Sequence, residues 1–195
     1  MNIDLNSLRD RAYKTACEHG FHDKELSNKH LLMLVITELS EAVEADRSNN
    51  WNRRAKVDWF KKRIETSRIC KGLDPEIPKE RGYEVAYNET IKGSIEEELA
   101  DAVIRLLDLA GLRNFDLNDR IIISYLVSKK RTFTENCYAI IKDLVNYRYT
   151  VEECVNFTIR QIFEVARFYD IDLKWHIEQK MKYNELREKM HGKKY

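Results

Sequence analysis

SIEEELADAVIRLLDLAG, residues Ser94 to Gly111, is the stretch whose reading decides the fold. Leu99, Ala102, Val103, Leu106 and Leu107 recur at steps of three and four, the spacing of an apolar stripe along one side of an α-helix. Ser94 followed by Glu97 predicts a capping box at the start of that helix, and Gly111 predicts its end. Glu98 and Asp101 stand three residues apart beside the stripe, about 60° round the helix from one another. Asp108 returns to nearly the same side. An acidic edge therefore borders a face built for burial.

Working upstream, Ser27 predicts the N-cap of a helix running to about Arg47, with Leu31, Leu32, Val35, Leu39 and Ala42 on its buried side. Glu38 and Glu41 repeat the three-residue spacing on this helix. If the two helices pack antiparallel in one core, four carboxylates converge. Unshielded neighbours about 4 Å apart repel by roughly 4 kcal/mol per pair at an effective dielectric near 20. Such a cluster requires cations or raised pKa values. Oxygen donors without accompanying Cys or His point to Mg2+, with Mn2+ as a substitute, rather than to zinc. Magnesium also bridges phosphate oxygens, so hydrolysis of a phosphoanhydride is the natural chemistry. Taken alone, either pair is as a rule a solvated helix face.

The rest of the chain reads as helix. A first helix is predicted from Leu5 to His19, stopped by Gly20. Beyond the acidic pairs, Asp116, Thr132 with Glu135, and Thr150 with Glu153 predict N-caps for helices at Leu117 to Val127, Phe133 to Tyr147 and Val151 to Tyr169. A last helix is expected from near Asp172 towards His191. With no alternating strand pattern, the class is all-α, a helical bundle. Residues 1–195 make one domain, with 48–93 as an insertion between the acidic helices, partly helical and partly loop around Pro75 and Pro78. In it Trp51, Trp59 and Phe60 stand among Arg53, Arg54, Lys56, Lys61, Lys62 and Arg63. That mixture suits either phosphate and base contacts or an amphipathic helix with its aromatics turned inward.

The 34 Lys and Arg nearly cancel the 33 Asp and Glu, so the chain as a whole offers no polyelectrolyte footprint, and global charge argues neither for nor against nucleic acid, which is not an expected partner. Cys17, Cys70, Cys137 and Cys154 form no CxxC pair, and reduced thiols are expected. Neither a signal peptide nor a membrane span is legible, and a cytoplasmic location is expected. Near the C-terminus, Lys180, Asn184, Arg187 and His191 fall at steps of four, three and four, within about 40° on one helical face. That stripe suits phosphate oxygens, or equally a solvated helix end.

TELSEAVEADR from Thr37 and EEELADAVIRLLDLAG from Glu96 together resemble the MazG-like nucleotide pyrophosphohydrolases, whose signature is an ExxE helix followed by an ExxD helix. GFHDKELSNKHLLMLV from Gly20 and KMKYNELREKMHGKKY from Lys180 are similar to segments that flank it, in proteins often from bacteria or phages. The resemblance implies a MazG-like bundle with Glu38, Glu41, Glu98 and Asp101 as magnesium ligands. It also offers Asp108 as a candidate for a further ligand or for the support of one. It implies hydrolysis of a nucleoside triphosphate, or a related nucleotide, to the monophosphate and pyrophosphate. Glu41 is the candidate that deprotonates or orients the attacking water, and Lys180, Asn184 and Arg187 are candidates for binding phosphate. A homodimer or higher homo-oligomer is implied as well. The segment between the acidic pairs is longer than in compact members of that family.

Two other readings compete. A ferritin-like di-iron protein needs two ExxH motifs in its bundle, and only Glu188 with His191 fits. A non-enzymatic helical interaction or regulatory module would keep the fold and do without the acidic chemistry.

Overall fold

Six helices begin at a side-chain cap placed as the sequence predicts or one step from it. Asp4, Ser27, Ser94, Thr132, Thr150 and Asp172 each accept a hydrogen bond from the backbone N–H three residues on. The computed structural model describes residues 4–52, 54–73, 79–117, 131–148 and 150–189. Among these the elements are α1 (Leu5–Glu18), α2 (Asn28–Arg47), α3 (Arg54–Leu73), α4 (Lys79–Thr90), α5 (Ile95–Arg113), α6 (Phe133–Val145), α7 (Val151–Phe168) and α8 (Leu173–Glu185). No strand occurs among the described residues, and the fold is all-α. None of the described helices is long and apolar enough to cross a membrane.

Helix α5 is the axis of the main core. Leu99, Val103, Leu106, Leu107 and Ala110 on it are all fully buried, against Val35, Leu39 and Ala42 of α2 and apolar residues of α1, α6, α7 and α8. Burial of whole aliphatic side chains of this kind stabilises by about 1.5–3 kcal/mol each before entropy is counted. The two acidic helices run antiparallel. Ile95 N, at the start of α5, donates to Asn50 O just past the end of α2 (3.1 Å), while Arg113 Nε, at the end of α5, donates to Asn28 Oδ1 at the start of α2 (2.8 Å). This orientation brings Glu38 of α2 to the level of Glu98 and Asp101 of α5.

Several boundaries differ from expectation, each for a local reason. Helix α5 does not stop at Gly111; it continues to Arg113 and ends on Asn114 in the left-handed conformation (φ 55°). Gly111 serves close packing instead, since a Cβ there would lie 2.4 Å from Tyr13 Cβ on α1. Helix α8 ends at Glu185 rather than near His191, so Arg187 follows the helix instead of belonging to it. His191 lies outside the described residues, as does nearly all of the helix expected at Leu117 to Val127. Only half of the capping box at Ser94 forms. Ser94 Oγ accepts from Glu97 N (3.2 Å), but the Glu97 carboxylate turns elsewhere. At Thr132 and Thr150 the boxes close in both directions.

The inserted segment forms a helical hairpin, α3 and α4, with a small core of its own. Phe60, Tyr83, Ala86, Tyr87 and Ile91 are buried there with Tyr183 of α8, and Trp175 packs at the edge. Adjacent helical residues point about 100° apart, so Phe60 and Trp59 cannot share one face. Phe60 is 2% exposed and Trp59 49%, which separates two residues that the sequence alone suits equally to burial. Of the cysteines, Cys137 and Cys154 are buried thiols and Cys17 is exposed; all three are free.

Candidate metal centre

Glu38 lies on the buried side of α2, and Glu98 and Asp101 lie at the N-terminal end of α5. One carboxylate oxygen from each comes within 4.8 Å of the others. Glu38 is 5% exposed and Glu98 8%, so two of the three acids are nearly out of water. The cluster forms the floor of a cavity of about 280 Å³, close to the lower end for small-molecule sites.

Burial, then the charge of Asp101, holds the Glu38 carboxyl above its ordinary range, although Arg105 opposes this by donating from Nε to Glu38 Oε1 (3.0 Å). Burial, followed by the charges of Glu97 and Asp101, pushes Glu98 up to about 9. The nearby Lys180 charge opposes this without reversing it, so desolvation and like charge both act against an ionised Glu98, the condition that a bound cation would relieve. The donor set fits a hard divalent ion. Ligands at about 2.1 Å in octahedral geometry stand roughly 3.0–4.2 Å apart, so the three oxygens, now within 4.8 Å of one another, would draw closer around such an ion. All three are carboxylates, with no thiolate or imidazole among them.

Glu41 stands apart from this triad. It is exposed on the next turn of α2, lines the same cavity, and its charge adds to the upward shift at both Glu38 and Glu98. Asp108 also lines the cavity, but its Oδ1 is paired with His22 Nε2 at 2.7 Å, which places it in a separate contact with the loop after α1. Arg105 pairs with Glu38.

The basic stripe reaches the cavity unevenly. Lys180, Asn184 and Arg187 all line it. The ammonium of Lys180, however, sits between two acids, 2.5 Å from Glu97 Oε1 and 2.7 Å from Asp101 Oδ2. Burial works against its charge, yet Asp101 and Glu97 outweigh that effect and raise its pKa above the ordinary lysine value. Asn184 Oδ1 is buried with no hydrogen-bond partner among the described residues. The Arg187 guanidinium lies over the Tyr183 ring, 5.7 Å from its centroid.

Glu97 is the site residue that sequence reasoning missed. It is 2% exposed. Its carboxylate receives Lys180, the Tyr87 hydroxyl (3.1 Å) and the Gly93 N–H. The signal was present: Glu97 stands four residues before Asp101 and so shares its side of α5. The capping-box pattern of Ser94 and Glu97 competes with that reading of the same residue. Comparisons of the chain with family models, with curated proteins and with solved structures find no match.

Proposed function

We propose that the protein is a divalent-metal-dependent nucleotide pyrophosphohydrolase, cleaving a nucleoside triphosphate or related nucleotide to the monophosphate and pyrophosphate. The observation that carries this reading is the Glu38, Glu98 and Asp101 oxygen cluster at the floor of a cavity that Arg187 and Asn184 also line. The motif pattern, with its resemblance to MazG-like enzymes, supplies the reaction class. Glu38, Glu98 and Asp101 are the residues that would hold Mg2+ or Mn2+. Such an ion supplies Lewis acidity towards phosphoryl oxygens and cancels the repulsion among the carboxylates.

The remaining roles fall to side chains whose positions suit them. Glu41, exposed at the cavity and outside the three-oxygen cluster, is the carboxylate available to take a proton from the attacking water. Arg187 can grip phosphate oxygens through a planar fork. The Asn184 amide, with a buried unpaired oxygen, can accept from a substrate hydroxyl or from water. Phe21, Ile104 and Met181 give the cavity an apolar wall against which the organic part of a nucleotide can lie.

The test is incubation of the purified chain with a panel of canonical and modified nucleoside triphosphates and Mg2+, with monophosphate and pyrophosphate quantified. Equal yields of the two products, lost in Glu98→Gln and Asp101→Asn, are expected. No turnover on any member of the panel, or full activity in both variants, sinks the hydrolase reading and leaves the non-enzymatic helical module. A homodimer or larger assembly belongs to the same proposal. Tyr138 (68% exposed) and Val145 (62%) lie one heptad apart on the same side of α6 and offer apolar surface for it. Sedimentation showing monomer alone would remove that part.

A further inference from the structure

An acidic floor can be neutralised by bound ions or by cations of the chain itself, and the environment of Lys180 distinguishes the two. Its ammonium is almost fully enclosed, with a side-chain exposure of 9%, and it bridges Glu97, at 2%, to Asp101, at 17%. The rings of Tyr183 and Tyr87 lie close by, with centroids 5.7 and 5.9 Å from Nζ. An ammonium has three N–H donors and no acceptor, so two carboxylates and an aromatic face make a complete shell for it.

Glu97 in turn is immobilised by the inserted hairpin. Its Oε1 accepts from the Tyr87 hydroxyl of α4 as well as from Lys180, and its Oε2 accepts from Gly93 N. With both oxygens engaged by donors of the chain, Glu97 is an anchor for Lys180 rather than a ligand for an added ion. Tyr87 is held in register by stacking on Tyr183, with centroids 4.2 Å apart, and by an edge contact with Phe60. Both Tyr183 and Lys180 lie on α8, so the hairpin grips the same helix that delivers the ammonium.

We infer that Lys180 is a built-in cation occupying the place of a second metal ion beside Asp101, held there by Glu97 and by Tyr87 of the inserted hairpin, so that the centre takes a single divalent ion per chain. This rests on the reading of Glu38, Glu98 and Asp101 as a metal site. Lys180 then acts as a positioning residue that orients Asp101, and phosphate contacts fall to Arg187. The insertion thereby gains a role at the site, replacing an exchangeable ion with a tethered one.

The test is Mn2+ titration of the full-length protein, with free ion counted by electron paramagnetic resonance. One ion per chain is expected for the wild type and for Lys180→Arg, which keeps the charge. In Lys180→Met the uncompensated Glu97 and Asp101 are expected to recruit a second Mn2+. Two or more tight ions in the wild type overturn the inference without any variant, and so does an unchanged single ion in a folded Lys180→Met. Should Lys180→Met not fold, the wild-type count still decides. A wild type that binds no Mn2+ instead overturns the metal reading itself, a result distinct from an incorrect count.

Discussion

The acidic floor and the inserted hairpin are built on opposite principles. Around the floor, aliphatic side chains of α2 and α5 interlock, and at the edge of that dry core Arg105 meets Glu38 and Lys180 meets Asp101, while burial and the charges of Glu97 and Asp101 hold Glu98 above its ordinary range. In the hairpin, aromatic rings pack edge to face: Phe60 meets Tyr83, Tyr87 and Trp175 at centroid separations of 5.6, 6.5 and 5.6 Å. The polar tips of those rings then reach out, Tyr87 to Glu97 and Tyr83 to the Gln179 carbonyl (2.8 Å). One region crowds carboxyl groups at the edge of a dry core, and the other supplies donors and rigidity to it. They meet at Lys180.

The largest expected effect comes from breaking the floor. Glu98→Gln or Asp101→Asn should abolish both Mn2+ binding and nucleotide hydrolysis while the circular dichroism of the helices persists. Retained Mn2+ binding in either variant would show that the floor is only an acidic surface. Glu41→Gln separates catalysis from binding within the same region. Loss of a general base lowers turnover by about 10²–10⁴-fold, and here the Mn2+ affinity should remain. A parallel loss of both would move Glu41 into the ligand set.

Breaking the hairpin gives an effect of another kind. Phe60→Ala removes a ring that is 2% exposed and is expected to cost about 3–5 kcal/mol, visible as a lower chemical-denaturation midpoint. Because Phe60 belongs to the hairpin's aromatic cluster rather than to the main core, Mn2+ should still bind to the folded fraction. Measurement of the two properties side by side sharpens the division between the regions.

A gentler test varies pH. The folded chain keeps a proton on Glu98 up to about 9, against an ordinary value of 4.5, and Glu38 is shifted the same way. A carboxyl raised on folding contributes its stability below the ordinary value and loses it as pH rises through the folded one. In chelator, the melting temperature should therefore fall between about pH 5 and about pH 9. Saturating Mg2+ should flatten that slope. A melting temperature that rises with pH in chelator would contradict the crowded floor.

The smallest effect is expected from Tyr87→Phe. It deletes one of the donors to Glu97 and leaves the stacking on Tyr183, a change of about 1.5–3 kcal/mol in stability because the acceptor is a buried carboxylate.

What the sequence makes legible follows from range. Caps and apolar periodicity act within a few residues, and Ser27, Thr132, Thr150 and Asp172 mark helix starts that the structure reproduces. The pairing of Glu38 with Glu98 and Asp101 follows from two such stripes burying against each other. Glu97 was obscured because one residue type fits two local patterns, and only the distant Lys180 and Tyr87 decide between them. Gly111 was misread for the same reason: the Tyr13 side chain that needs the space lies on α1, far away in the chain. The docking of the hairpin onto α8 depends on Tyr87 meeting Tyr183, a contact between residues that no periodicity links.

Anomalous diffraction from crystals soaked in Mn2+ would decide whether the acidic floor is a metal centre. One peak per chain is expected among the carboxylates of Glu38, Glu98 and Asp101, with the Lys180 ammonium still beside Asp101. No peak at that cluster, or manganese bound only elsewhere, would contradict a metal centre there.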